Sequence, residues 1–346
     1  MQYLLSFFGA AILALVITPL ALALAVKYRA FDRPGLRKVH VKAVPVLGGV
    51  AIMLAVLGGV WLARLAWPQA YADDSLKLLA FTAGGLLIFG VGLYDDLRDA
   101  SVGLRFLVQF LAALILVLAG FNIRALPNPL GGSFELGAMS YPFTMLWIVF
   151  FVNAINFIDG LDGLAGGITA IACLTIFFSA GSHGETLISL LALVTAGCML
   201  GFLPFNFHPA RIFMGDSGAT FLGFALGAMT ALGTMKSIAT IALLVPIAAL
   251  GVPIFDTVSS VIRRTRRGQK FWQADKEHVH HLLITMGFSH QGAVTFLYGV
   301  SGFFGLLAIL LASADRRLIS VMVMLSLLGL DLHQETAGRQ GLTAGR

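Results

Sequence analysis

The feature that most constrains this chain is a series of apolar stretches, most of them close to 20 residues long. Short connectors between them carry nearly all of the charge. About 20 apolar residues in a helix span about 30 Å, the thickness of a bilayer's hydrocarbon core. Charged residues make up 12% of the chain, against about 25% in soluble domains. A soluble fold of 346 residues could not cover its surface with so few, and a disordered chain would be poor in apolar residues rather than rich in them. Backbone polar groups inside lipid must find partners within the chain. The expectation is therefore an all-α, polytopic helical bundle in the membrane.

Candidate spans fall near 3–26, 46–67, 77–94, 104–121, 143–158, 164–181, 186–204, 217–235, 238–262, 291–313 and 318–332. That makes about 11, with one interrupted helix near 238–262, where Pro246 and Pro253 remove backbone donors. Residues 1–333 read as a single transmembrane domain and 334–346 as a polar, disordered tail. The first stretch carries no charge before Lys27 and reads as a retained helix rather than a signal peptide. Connectors alternate between two sides. One set holds Lys27, Arg29, Arg33, Arg37, Lys38, Lys42, Arg98, Arg105, Arg211 and the run from Arg263 to Lys276; the other holds only a scatter that includes Arg64, Lys77 and Arg124. Basic loops stay cytoplasmic, which puts the N-terminus outside and the C-terminus inside. The net charge of +6 is then a topology signal, and nucleic acid is not an expected partner. Cys173 and Cys198 lie in apolar stretches, so no disulfide framework is expected. Between 122 and 142, Pro127, Pro129 and Gly131-Gly132 predict a small turn or hairpin.

The polar residues that do not fit a bland bundle gather at the cytoplasmic ends of spans, in loops near 27–45, 95–103, 159–165, 205–217 and 263–290. They are Asp95, Asp96 and Asp99; Asn153, Asn156, Asp159 and Asp162, each three apart; Asp216; and His278, His280 and His281. Residues three apart share a helix face, so Asn153, Asn156 and Asp159 form a polar stripe on an apolar helix. Such a stripe is costly against lipid and must face protein, water or a ligand. Carboxylates gathered at one place raise one another's pKa, a conflict that a hard divalent cation removes. Mg²⁺ takes oxygen ligands and shares them with phosphates, with Mn²⁺ able to substitute, and basic loops suit phosphate groups. The pattern points to phosphoryl transfer at a membrane face, from a soluble donor to a lipid acceptor.

Asp95-Asp96, Asn156-Phe-Ile-Asp159-Gly-Leu-Asp162-Gly-Leu, Asn206-Phe-His-Pro-Ala-Arg-Ile-Phe213-Met-Gly-Asp216 and His278-Val-His280-His281 together resemble the polyprenyl-phosphate N-acetylhexosamine-1-phosphate transferases, and more closely their N-acetylglucosamine branch. Arg37-Lys38-Val-His40 and Pro45-Val-Leu-Gly48-Gly49 extend the match toward the N-terminus. The resemblance implies a bacterial inner-membrane enzyme with its site on the cytoplasmic face. It would transfer N-acetylhexosamine 1-phosphate from a UDP-N-acetylhexosamine, UDP-GlcNAc first, to undecaprenyl phosphate, with release of UMP. It assigns Mg²⁺ ligation to Asp216 and Asn156, and catalytic contacts to Asp95, Asp96, Asp159 and His281. The same resemblance places Lys42, Asp162, Asn206 and Phe213 near the nucleoside, and His278, His280, Arg263 and Arg264 at the phosphates and sugar. Direct attack by the lipid phosphate is expected, because the phosphate is already anionic and its obstacle is charge repulsion. An aspartyl-phosphate route through Asp95 or Asp96 is the chemical rival.

Other readings fit less of the chain. A phospho-MurNAc-pentapeptide transferase would use the same motifs, but that branch is read as having ten spans. A cation-coupled transporter would hold its acids near the bilayer midplane instead of at one face. Gly215-Asp216-Ser217-Gly218 matches the string around trypsin-like nucleophiles, but a triad is recognised by geometry. Three histidines without a thiolate pair make a poor zinc site. The interrupted stretch 238–262 is expected to open a groove for the prenyl tail. Gly84, Gly85, Gly223 and Gly227 permit close helix packing, within the chain or across a homodimer.

Overall fold

The computed structural model describes residues 1–32, 43–127, 133–181, 184–232 and 287–313. Among these the chain forms nine α-helices. They are α1 (Gln2–Lys27), α2 (Gly48–Ala66), α3 (Ser75–Arg98), α4 (Val102–Leu118), α5 (Ser140–Ile158), α6 (Leu164–Gly181), α7 (Thr186–Asn206), α8 (Gly215–Leu232) and α9 (His290–Ser313). Each falls on an expected apolar stretch, and six spans, on α1, α2, α3, α5, α6 and α7, are long and apolar enough to cross a membrane. The interrupted stretch 238–262, the stretch 318–332 and the tail 334–346 lie outside the described residues.

The fold is not helix alone. Two small antiparallel ribbons join it, β1 (Phe31–Asp32) with β2 (Val44–Pro45), and β3 (Ala125–Pro127) with β4 (Ser133–Glu135). The second is the expected hairpin between 122 and 142. The first has a structural consequence: Phe213 N–H donates to Pro45 O, while Gly48 N–H and Gly49 N–H donate to Phe213 O and Met214 O. The stretch leading into α2 is thereby stitched to the start of α8.

α8 is the hub, and its first sixteen residues after Asp216 are all buried. It packs on α3 and α5, while α7 packs on α1 and α6. Small residues let these helices approach. A β-carbon on Gly84 would meet the Phe224 ring at 2.6 Å, and one on Gly223 would meet Phe151 O at 2.4 Å. Gly85 and Gly227 likewise face Phe221 and Ile148. These four glycines thus serve contacts within the chain. Close packing of this kind substitutes for the hydrophobic drive that lipid cannot supply. Many large apolar side chains of α1, α3 and α4 point outward, among them Leu4, Phe8, Leu79, Leu86 and Leu107, as a lipid-facing surface requires.

Candidate active site

The C-terminal ends of α3, α5 and α7 meet the N-terminal ends of α4, α6, α8 and α9 at one end of the bundle. The polar stripe on α5 faces protein, as expected. Asn153 Nδ2 donates to Gln109 Oε1 of α4 at 2.8 Å, and Asn156 Nδ2 donates to Asp216 Oδ1 at 2.8 Å. These pairs line a cleft between α3, α4, α5 and α8 whose walls include Asp95, Arg105, Gln109, Asn153, Asn156 and Asp216.

Asp95 and Asp96 are neighbours with different environments. The Asp95 carboxylate accepts Ala100 N–H at 2.7 Å on Oδ1 and pairs with Arg105 Nη1 at 2.8 Å on Oδ2. It lines the same cleft as Asp216. Asp96 turns the other way and serves the N-terminus of α8. Its Oδ1 accepts Asp216 N–H at 2.7 Å, and its Oδ2 accepts both Ser217 N–H at 3.1 Å and Ser217 Oγ–H at 2.6 Å. A helix N-terminus leaves backbone donors unpaired and carries partial positive charge, so a carboxylate there is doubly favoured. The sequence around Asp216 follows from this contact. Gly215 has φ +68°, and a β-carbon there would lie 2.6 Å from the Asp96 carboxylate; only glycine accepts both constraints. The Gly-Asp-Ser-Gly string is a helix start clasped by a remote aspartate, and Ser217 is buried in that clasp.

Asp159 follows the last turn of α5, where its N–H closes on Ile155 O and Asn156 O. Burial pushes its carboxyl up to about 8, and the negative charges of Asp216, Asp96 and Asp162 push the same way. Asp162 belongs to a second cluster. Its Oδ2 accepts Ala210 N–H at 3.1 Å and pairs with His208 Nδ1 at 2.8 Å, and its own N–H donates to His290 Nε2 at 3.1 Å. The two imidazoles stack at 4.3 Å.

Asn206, expected beside the nucleoside, is 2% exposed. Its Oδ1 accepts Gly163 N–H and its Nδ2 donates to Ile212 O, so its amide ties the loop after α5 to the loop after α7. Tyr298 of α9 makes the same loop fast by donating to Gly163 O at 2.5 Å. Gly163 has φ +80°, and a β-carbon on Gly167 would strike the Tyr298 ring. Phe213 is partly buried and packs against a small cluster formed by Ala25, Ala30, Val46 and Leu47. Lys42, Arg263, Arg264, His278, His280 and His281 lie outside the described residues.

The structure therefore brings together Asp95, Asp96, Asn156, Asp159 and Asp216, and sets Asp162 and Asn206 beside them in the loops. Arg105, Gln109, Ser217, His208, His290 and Tyr298 were given no role in the sequence reading. His208 and Ser217 stand inside quoted strings and Arg105 among the basic loop residues; Gln109, His290 and Tyr298 have no local signal.

The profile of glycosyl transferase family 4 matches residues 78–234, the stretch that holds both clusters except His290. The chain is 39% identical to a Bacillus subtilis protein named "Probable undecaprenyl-phosphate N-acetylglucosaminyl 1-phosphate transferase", over 94% of this chain and 89% of the relative. It is 37% identical to a decaprenyl-phosphate N-acetylglucosaminephosphotransferase of Mycolicibacterium smegmatis, over 84% and 77% of the two chains. It is 27% identical to an undecaprenyl-phosphate alpha-N-acetylglucosaminyl 1-phosphate transferase of Yersinia pestis, over 78% and 73%.

Proposed function

Because the chain belongs to glycosyl transferase family 4, and there to the undecaprenyl-phosphate N-acetylglucosaminyl 1-phosphate transferase branch, we propose that it joins N-acetylglucosamine 1-phosphate from UDP-GlcNAc to undecaprenyl phosphate and releases UMP. The enzyme works in a bacterial inner membrane, with the acidic cleft at the cytoplasmic face. The observation that carries the reading is the convergence of Asp95, Asn156, Asp159 and Asp216, from three separate helices, on one end of the bundle beside Arg105.

The donor set fits a hard divalent cation. Four carboxylates, counting Asp96, press on one another, and among the described residues the cleft offers Arg105 as their cation. Asp216 and Asn156 would hold Mg²⁺, with the Asn156 carbonyl oxygen left available because its Nδ2 serves Asp216. Mg²⁺ when bound supplies charge neutralisation at the pyrophosphate and stabilises the departing UMP oxygen.

The chain's own groups do the rest. Arg105 offers a guanidinium at the cleft, half-exposed and already oriented by Asp95, and it lowers the repulsion between two phosphate-bearing substrates. Asp95 positions the lipid phosphate by way of this pair. Asp96 does not reach for substrate; three hydrogen bonds commit it to α8, and it acts by fixing Asp216. A carboxylate whose lone pairs are so engaged is a weak nucleophile, which favours direct attack of the lipid phosphate on the β-phosphorus over an aspartyl-phosphate. Asp162 and Phe213 border the nucleoside side.

The test is UMP release from UDP-GlcNAc by the purified chain in detergent, with Mg²⁺ and undecaprenyl phosphate. UMP that requires both additions, with a product of the mass of undecaprenyl-diphospho-GlcNAc, supports the reading. UMP formed equally without the lipid overturns it. A panel of UDP-N-acetylhexosamines under the same conditions sets the sugar.

A further inference from the structure

The cleft has two tiers. The outer tier is charged and holds Asp95, Arg105 and Asp216 with Asn156; the inner tier is neutral and holds Gln109, Asn153 and Thr220 beside Ile88, Val91 and Gly92. Each polar residue of the inner tier stands three or four positions along the same helix from an outer one. Gln109 follows Arg105 on α4, Asn153 precedes Asn156 on α5, and Thr220 follows Asp216 on α8. At about 1.5 Å per residue the inner tier lies about 4.5–6 Å further into the bundle, toward the bilayer interior where the chain of a lipid acceptor lies. We propose that Gln109 is an acceptor-binding residue, whose Nε2 donates to a phosphate oxygen of the polyprenyl phosphate alongside Arg105.

The orientation of the Gln109 amide is set by its neighbours. Asn153 Nδ2 donates to Val149 O, the carbonyl one turn back on its own helix, and to Gln109 Oε1, both at 2.8 Å. An oxygen in place of that nitrogen would face a carbonyl, so the Asn153 amide has one orientation. Gln109 must then turn its oxygen toward Asn153. Both hydrogens of Gln109 Nε2 are left without a partner among the described residues, on a residue that is 4% exposed and lines the cleft. Buried donors nearly always have a partner. The other donors of the inner tier are committed already, those of Asn153 as above and the Thr220 hydroxyl to Asp216 O at 2.6 Å. The free side-chain donors of this tier therefore belong to Gln109.

Free donors beside a guanidinium select a ligand rich in acceptors. Side chains four apart on a helix are neighbours, with β-carbons about 5–6 Å apart, close enough for Arg105 and Gln109 to take two oxygens of one phosphate. Their chemistry suits their depth. Arg105 is a cation paired with Asp95. A second cation one turn deeper would lose its water with no carboxylate to pair with, whereas a neutral amide can donate there. The pyrophosphate of a nucleotide sugar offers the same oxygens, and depth separates the two sources. The nucleotide sugar arrives from water and meets the outer tier, while polyprenyl phosphate keeps its chain in lipid and presents its phosphate from the inner side.

The ligand named here rests on the transferase reading, but the experiment runs without turnover. Equilibrium binding of undecaprenyl phosphate and of undecaprenol to the purified full chain is measured in detergent without UDP-GlcNAc, and UDP-GlcNAc binding is measured separately. Gln109→Met keeps the side chain's length and removes its donors. It is expected to weaken undecaprenyl phosphate about ten- to a hundredfold, with undecaprenol and UDP-GlcNAc within about twofold of wild type. Asn153→Ala breaks the same hydrogen bond between α4 and α5 but spares the Gln109 donors, so it should keep most of the preference for the phosphate over the alcohol. Three results overturn the proposal and leave the pair as a tie between helices: unchanged phosphate affinity in Gln109→Met, an equal loss for undecaprenol or UDP-GlcNAc, or an equal loss of phosphate preference in Asn153→Ala. Failure of the transferase reading shows separately, as wild type that releases no UMP.

Discussion

The two ends of the bundle satisfy their polar groups in different ways. At the end that carries the hairpin, partners are mostly near in sequence. Lys77 pairs with Asp74 three residues away, Arg64 reaches Pro68 O, and Ser75 Oγ–H donates to Ala72 O. The longer links there, Ser140 to Ile123 O, Trp61 to Thr82 and Trp147 to Thr230, span 17, 21 and 83 residues. At the other end Asp96 meets Ser217, Asn156 meets Asp216, and Tyr298 meets Gly163, across 121, 60 and 135 residues. Local pairs can form in any helix hairpin and specify little. Long-range polar pairs require the whole bundle to be assembled, and they fix groups from separate helices to within tenths of an ångström, which catalysis needs. The contrast can be broken by substitution, and the expected effects fall off steeply from one end to the other.

The largest effect is expected at Asp216. Asp216→Asn keeps the side chain's size and a hydrogen-bonding edge toward Asn156, but it removes the charge that the cleft would present to Mg²⁺. UMP release should drop about 10³-fold or more, with a thermal midpoint close to wild type. Full activity in this variant would remove Asp216 from the metal site. Asp96→Ala comes next and should look different, because it leaves Asp216 N–H, Ser217 N–H and Ser217 Oγ without their partner. Stability should fall by about 1–3 kcal/mol as well as kcat, measured by thermal unfolding beside UMP release. Loss of activity with no loss of stability would mean that Asp96 touches substrate after all.

Much of this was legible in the sequence, for definite reasons. Helix positions followed from apolar length, and the end of α5 from where Asp159 stands, whereas α3 runs on through Asp95 and Asp96 to Arg98, so that the loop expected at 95–103 starts only at Asp99. Cost alone required the stripe Asn153-Asn156-Asp159 to face away from lipid, toward protein, water or a ligand. What the sequence hid was pairing. Asp95 and Asp96 are adjacent and chemically identical, yet one turns to Arg105 and the other to α8. Nothing local distinguishes them, because their partners lie 10 and 121 residues on. Asn206 was expected near the nucleoside; its buried amide also ties two loops together, a role its position in the sequence does not show. His290 and Tyr298 sit at the start and in the third turn of an apolar helix, and only tertiary packing brings them to Asp162 and Gly163 respectively.

An intermediate effect is expected at Tyr298. Tyr298→Phe keeps the ring against Phe207, at 6.3 Å, and removes one hydrogen bond of about 1 kcal/mol. If that bond positions the Asp159–Gly163 loop, KM for UDP-GlcNAc should rise several-fold while the thermal midpoint moves little. Equal KM values would leave the tyrosine with packing alone. A smaller signal is expected from Asp159 in metal-free protein. Its carboxyl is pushed up to about 8, above its unfolded value of about 3.9, so the fold binds this proton more tightly than the unfolded chain does. The stability it contributes is full at low pH and is lost as pH rises toward 8. In EDTA, wild type should therefore lose thermal stability between about pH 5 and 8 relative to Asp159→Asn. Parallel curves for the two proteins would show that Asp159 does not titrate there.

The smallest effect belongs at the opposite end, and it is the control that gives the others meaning. Lys77 and Asp74 are 2.8 Å apart, but the lysine side chain is 33% exposed. Exposed pairs contribute about 0–1 kcal/mol, because solvent screens them and holding two long side chains together costs entropy. Lys77→Ala should shift the thermal midpoint by a degree or so at most and leave UMP release at the wild-type rate. If it instead lowered kcat while the fold stayed intact, function would not be confined to the end where long-range pairs converge. The distance in sequence between polar partners would then have no bearing on where this enzyme works.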